Sequence, residues 1–503
     1  MTILRRLAQP RHAALILLIV ALALRVWDFG NPVIKSDEEY YLLVGDRMLH
    51  GAVPFIDIWD RKPVGLFLLF AGFRLLPGDG ILAYQIAATL YAVGTAVLVG
   101  TGARMLGARN GAALLAAIVY LLGLQLLGGR GGQTPVYYNL LMAAGGVLCL
   151  RLPRLAAERR TGAIVASGAL ACALAGIGIQ LKYTPAFEGA FFGAAHLWFL
   201  VRAGQRWPGV IGAALLWIAL GLAPSAAAIG WYAAKGPDAL EAFWFANVVS
   251  IMLRRGYPLS QLVMRLLGIA GQSAPLLIGT VLAWRIRPRN GLSAQMSIVG
   301  YAWLGAAAVG FFIIGSFFDH YALPLLVPLA MLAAPAFDRY RWLALFALLL
   351  PLTIITADRL LNPNDAAGAR AVAAVVKTNS VDGCPYVFVG DTITYHLAAT
   401  CIPTAYAFPN LLAYDTEQGA TGVDEAAEVR RILATRPPVI VTSTRRVSIW
   451  NIGSLWAVKH ALGRDYRLVF TAPRSNWVTA VYLRRDLPYR APSSPAPTSA
   501  VGR

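Results

Sequence analysis

Ser36-Asp37-Glu38-Glu39-Tyr40-Tyr41 follows the first apolar segment of the chain, and Asp60-Arg61-Lys62-Pro63 trails it by about twenty residues. The two stretches crowd acids and bases into one membrane-adjacent loop of an otherwise oily protein. Placing a charge in lipid costs roughly 2.5 to 3.5 kcal/mol on the insertion scale, so such a concentration marks a site rather than filler. The apolar runs around this loop decide the fold.

Of 503 residues 58% are hydrophobic and 14% charged, more apolar surface than a water-soluble domain needs. A membrane span takes roughly 17 to 25 apolar residues, and such runs recur down to residue 357. They predict a polytopic α-helical membrane protein with about eleven spans: 12–29, 80–103, 111–128, 135–150, 162–181, 186–201, 209–233, 266–284, 294–315, 322–337 and 342–357. The stretch 64–76 is too short to cross and suits a helix lying in the interface.

A net charge of +19 invites a nucleic-acid reading, but the arginines fall in alternate loops rather than one patch. Arg5, Arg6 and Arg11 precede the first span; Arg104 and Arg109, the Arg151 to Arg160 run, Arg202 and Arg206, Arg285 to Arg289, and Arg339 and Arg341 continue the series. The positive-inside rule makes these loops and the N-terminus cytoplasmic. The expected location is the cell inner or plasma membrane, with the segment after the last span in the periplasm or its equivalent. Basic residues before the first span resemble a signal peptide, but Arg25-Val26-Trp27-Asp28 stands where small residues of a cleavage site would be. The expectation is an uncleaved span with Trp27 at the interface.

Three regions follow: a transmembrane domain, 1–357, whose first outer loop, 30–79, carries the site; an extracytoplasmic α/β domain, 358–486; and a disordered Pro-, Ser- and Ala-rich tail, 487–503. In the α/β domain, helical patterns near 367–379, 424–436 and 453–463 alternate with strand-like 386–389, 438–441, 467–471 and 479–483. Cys384 and Cys401 fall there, where an oxidising compartment permits a disulfide. Closing a loop of that size stabilises a fold by about 3 kcal/mol in the chain-entropy model. Zinc is the other reading, but no Cys-x-x-Cys or paired His accompanies these cysteines. Cys149 and Cys172 lie within spans, as small apolar packing residues.

Within the first loop, Ser36 and Glu39 have the spacing of a capping box, so the helix Asp37 to Leu49 begins there. Asp37 and Glu38 are not needed for that cap, although negative charge at a helix N-terminus is itself favourable. After the helix the chain runs His50-Gly51-Ala52-Val53-Pro54-Phe55-Ile56-Asp57-Ile58-Trp59 into Asp60-Arg61-Lys62-Pro63. This pattern resembles the first outer loop of membrane glycosyltransferases that use polyprenyl-phosphate sugars, the protein O-mannosyltransferase and aminoarabinose-transferase group of the GT-C fold. The family has an Asp-Glu pair, then Tyr, then Gly-x-x-Pro-x-x-Asp, then Lys-Pro. The matching residues are Asp37-Glu38, Tyr41, Gly51, Pro54, Asp57 and Lys62-Pro63. Val64 stands where the family often has a second proline, and Glu39 makes the acid pair a triplet. Two shorter stretches are similar to later family segments: Gly176 to Lys182, and Phe317-Phe318-Asp319-His320-Tyr321-Ala322-Leu323-Pro324.

The resemblance implies transfer of a sugar from a polyprenyl-phosphate donor to an acceptor hydroxyl, with inversion at the sugar carbon. Asp37 would act as general base with Glu38 beside it. Arg61, Lys62, Lys182 and His320 would neutralise the departing phosphate, with Tyr41 and Tyr321 as substrate contacts. Each cation also has an ordinary reading: Lys182 snorkelling from a span end, Arg61 pairing with Asp57 or Asp60, His320 pairing with Asp319. Arg254-Arg255 could contact phosphate or headgroups, and Glu188, inside a span, faces a protein cavity rather than lipid. Implied partners are the lipid-linked donor, membrane lipids, and a lipid, polysaccharide or protein acceptor, with no nucleic acid. No cofactor is certain: three adjacent acids could hold a divalent metal, while capping and base catalysis would occupy them without one.

Gly128-Gly129-Arg130-Gly131-Gly132 lacks the Gly-Lys-Ser/Thr of a nucleotide loop, and Gly100-Thr101-Gly102 lacks the third glycine of a dinucleotide fingerprint. The alternatives are a lipid or glycan flippase and a non-catalytic protein with a ligand-binding outer domain. A transporter would carry ionisable residues in mid-span or an internal repeat, and here most charges sit at span ends. A binding protein leaves the Asp-Glu loop unexplained.

Overall fold

The computed structural model describes residues 10–362, 364–445, 449–474 and 477–492. The chain divides into two compact units, each built from separated stretches of sequence. The first comprises Met1–Trp27, Gln85–Gly230 and Pro258–Arg359; the second comprises Asp28–Tyr84, Trp231–Tyr257 and Leu360–Arg503.

The first unit is helical. Among the described residues every expected span finds a helix or a bent helical pair, and seven helices, or eight spans if the bent pair is one, are long and apolar enough to cross a membrane. The span expected at 266–284 is not one straight helix. Leu259–Gln272 and Ala274–Ile286 meet at a 67° bend, where Pro275 removes a backbone donor just after Ser273.

Small residues let these helices approach. A Cβ on Gly146 would come within 2.3 Å of the Trp303 ring, and one on Gly176 within 2.5 Å of the Gly221 carbonyl oxygen. Either would force the helices apart. The glycine-rich 128–132 loop serves the fold, because buried Arg25 donates to the carbonyls of Gly129 at 2.8 Å and Gly131 at 2.7 Å. Glu188 is buried and accepts a 2.7 Å hydrogen bond from the Trp303 indole.

In the second unit, strands β1 (Tyr386–Val387), β2 (Val439–Ser443), β3 (Tyr466–Arg474) and β4 (Trp477–Arg484) form one sheet in the order β1-β2-β4-β3. Only β1 and β2 run parallel; Ile440 and Leu468 both face Tyr482 across antiparallel pairings. Helices Ala366–Asn379, Glu425–Ala434 and Ile452–Asp465 lie where the periodicity predicts them. Asp424 and Asn451 start the last two, their side chains accepting from Ala427 N–H and Ser454 N–H. Cys384 and Cys401 are joined with their Cα atoms 5.1 Å apart.

The expected disordered tail starts too early. Arg490 and Asn379 exchange two 2.9 Å hydrogen bonds between backbone and side chain, which fixes the chain beyond Leu487. Residues 493–503 lie outside the described residues.

Candidate active site

The helix Ser36–Leu49 does not begin with the expected capping box. Lys35 is the N-cap and no side chain caps this end. Glu39 instead turns towards the Ile393 segment of its own unit, where its Oε2 accepts a 3.4 Å hydrogen bond from Ile393 N–H. It is only 2% exposed. Burial, reinforced by Asp391, holds the Glu39 carboxyl well above the usual range despite Arg474 nearby. Arg474 joins Asp365 at 2.7 Å and Asp391 at 3.0 Å, so Glu39 sits against a network already rich in carboxylates. Burial also raises Asp391.

Of the other two acids, Glu38 is fully buried, whereas the Asp37 side chain keeps 23% of its surface. Asp37 is therefore the more accessible candidate base. Lys62 Nζ lies 3.9 Å from Asp37 Oδ1 and 3.9 Å from Asp60 Oδ1, and 5.4 Å from the centre of the Tyr41 ring. Tyr41 is itself fixed edge-on against Phe67 and Phe70. The loop thus brings Asp37, Tyr41 and Lys62 together.

Asp60 is the member that sequence reading passes over as a site residue. Its Oδ1 accepts from Arg61 N–H at 2.6 Å. Burial and the neighbouring Asp37 push its carboxyl upward, against the pull of Lys62. The result is one ammonium between two carboxylates of different exposure.

The Gly51, Pro54 and Asp57 positions of the motif form the turn that delivers this arrangement. Gly51 takes the left-handed conformation at φ +93°, which suits a residue without Cβ. Asp57 Oδ2 then accepts from Val53 N–H at 2.7 Å, while Phe55 N–H donates to Ile58 O at 2.8 Å. Asp57 serves the turn, and Arg61 pairs with neither Asp57 nor Asp60 through its side chain. The Arg61 guanidinium meets Glu417 at 2.5 Å, and also donates to Ser250 Oγ and Ala420 O. Arg254 holds the other Glu417 oxygen at 2.8 Å, and Arg255 reaches Asp415 at 2.9 Å. These arginines dock chain segments within the second unit.

In the first unit the two later motif stretches meet. Lys182 Nζ lies 4.0 Å from the centre of the Tyr321 ring, and the His320 ring stands edge-on to Tyr321 at 4.5 Å. At 9% exposure Lys182 is buried rather than snorkelling. The turn Asp319–Leu325 that carries His320 and Tyr321 is held by Asn139, which donates to Leu323 O at 3.0 Å. Arg265, with no sequence signal, stacks 4.1 Å from the Phe318 ring and donates to Ser316 O. Among the described residues no three His, Cys, Asp or Glu side chains are grouped to hold a metal ion.

No protein-family model and no curated protein matches the chain. Among solved structures it is similar to the crystal structure of ArnT from Cupriavidus metallidurans in the apo state, at 14% sequence identity and a TM-score of 0.60. The match covers 93% of this chain and 97% of that one. At such low identity the likeness speaks for the fold. The chain is a multi-pass membrane protein with the ArnT-like GT-C fold.

Proposed function

We propose that this protein is an integral-membrane glycosyltransferase that moves a sugar from a polyprenyl-phosphate donor to an acceptor hydroxyl on the periplasmic face. The observation that carries the reading is Lys62 standing between Asp37 and Asp60 on the loop with the family-like motif.

In a single displacement the acceptor oxygen attacks the anomeric carbon, the carbon–oxygen bond to phosphate breaks, and polyprenyl phosphate leaves. Asp37 takes the acceptor proton, a role that general bases fill with about 10² to 10⁴-fold effect. Lys62 supplies positive charge to the phosphate as it gains charge. For Lys182, His320 and Tyr321, gathered in the first unit, donor binding is the proposed role. Glu38 supports the acid pair from its buried position. Arg61, tied to Glu417, is assigned to positioning the loop.

The test is mass spectrometry of surface lipids, polysaccharides and secreted proteins from a deletion strain complemented with wild-type or Asp37→Asn protein at matched expression. A single sugar missing from one product in the deletion and Asn strains identifies both sugar and acceptor. Rescue by Asp37→Asn, or unchanged glycans with polyprenyl pools shifted between leaflets, rejects the reading.

A further inference from the structure

The arginine-rich ends of three helices in the first unit enclose a cavity of about 340 Å³ that the proposed transfer does not use. Its rim carries Arg109, Arg287 and Arg339, which come from three chain segments well separated in sequence. One carboxylate, Asp338, shares the lining, and one of its oxygens already accepts from Arg109 N–H at 2.6 Å. Three guanidinium groups against one carboxylate leave the cavity strongly cationic.

Two features separate this cavity from a merely basic surface. The first is preorganisation: the Arg287 guanidinium lies 3.2 Å from the Trp284 ring centre and donates to Trp284 O at 2.6 Å. Trp284 in turn stands edge-on to Tyr301 at 4.7 Å, whose hydroxyl donates to Thr280 O. The second is the mixed wall. Buried Ser297 and Leu332 line the interior, while Ile286, also in the lining, remains 40% exposed.

We propose that this cavity binds the phosphate of an anionic lipid headgroup, with the lipid's chains passing over the exposed Ile286 at its edge. Guanidinium groups recognise phosphate oxygens through paired donors, and basic pockets between membrane helices suit such headgroups. A free phosphate ion satisfies the arginines equally, but it makes no use of the exposed Ile286 surface. The lipid is therefore the occupant that fits both parts.

The experiment is native mass spectrometry of the full chain in detergent, titrated with phosphatidylglycerol or phosphatidylcholine. The variant Arg109→Gln/Arg287→Gln/Arg339→Gln is compared with Arg159→Gln/Arg202→Gln/Arg206→Gln, which removes the same number of exposed charges elsewhere in the unit. Melting temperatures in lipid-free micelles verify folding, and single Arg109→Gln and Arg339→Gln variants replace the triple if it does not fold. The expected result is a loss of phosphatidylglycerol adducts of about tenfold or more in the cavity variant alone, with phosphatidylcholine unchanged. Equal losses in both variants, or none in either, overturn the site. Complete displacement of phosphatidylglycerol by millimolar inorganic phosphate overturns the lipid as its occupant.

Discussion

The two sides of the Asp60–Pro63 turn put neighbouring cations to opposite uses. Arg61 has a side chain 12% exposed and places its planar fork on Glu417, Ser250 and Ala420 within the second unit. Lys62, at 27%, stands 3.9 Å from two carboxylates, beyond direct hydrogen-bond length. Arginine suits a fixed multi-donor contact, whereas lysine is a compact charge on a flexible stem. On the proposed function Arg61 holds the fold and Lys62 takes part in the chemistry, although sequence alone makes them look interchangeable.

Asp37→Asn gives the largest expected effect, because it keeps the shape and removes the proposed base. Product formation should fall at least about 100-fold while the melting temperature stays within about 2 °C, measured as envelope product and by thermal unfolding of purified protein. Lys62→Met should reduce product by about 100-fold, again with little change in unfolding.

Arg61→Met acts on the other side of the turn. It leaves buried Glu417 with Arg254 as its remaining ion-pair partner among the described residues, at a cost of about 2 kcal/mol. Thermal unfolding should show that loss, and a melting temperature matching Lys62→Met would erase the distinction.

The disulfide offers a comparison within the second unit. Denatured but unreduced protein should take two alkyl labels, on Cys149 and Cys172, and four after reduction. Four labels without reduction would remove the bridge. Cys384→Ser should lower stability by about 3 kcal/mol or less without changing product per folded molecule.

The smallest effect concerns pH. Because Glu39 is raised in the folded state, the native protein binds more protons than the unfolded chain between the ordinary carboxyl range and its folded value. Its contribution to stability is complete below the ordinary range and is lost as pH rises through the folded value. Glu39→Gln should therefore flatten the decline in melting temperature across that window. A decline as steep as that of wild type would show that Glu39 is not its source.

What is legible in the sequence follows from how local each determinant is. Long apolar runs identify spans whatever their neighbours, so the helices from Ile81–Met105 to Arg341–Leu361 are readable. The bend at Ser273 is hidden, since hydropathy continues across it. One short loop is enough to anticipate the Asp37, Tyr41 and Lys62 arrangement, but its fourth member, Asp60, looks like an ordinary neighbour of Arg61. Glu39 misleads because a local capping pattern competes with burial against Ile393, and the tertiary contact wins. The pairing of Arg61 with Glu417 spans most of the chain, and no local pattern announces it. Arg490 likewise looks like tail because its partner, Asn379, lies far back in sequence.

The most direct test of the central claim is product formed per folded molecule in strains carrying Asp37→Asn, Lys62→Met or Arg61→Met, with folded protein quantified in the same membranes. The account predicts loss of product per folded molecule for Asp37→Asn and Lys62→Met, and near wild-type values for the smaller folded population of Arg61→Met. Undiminished product per folded molecule in Asp37→Asn would contradict it.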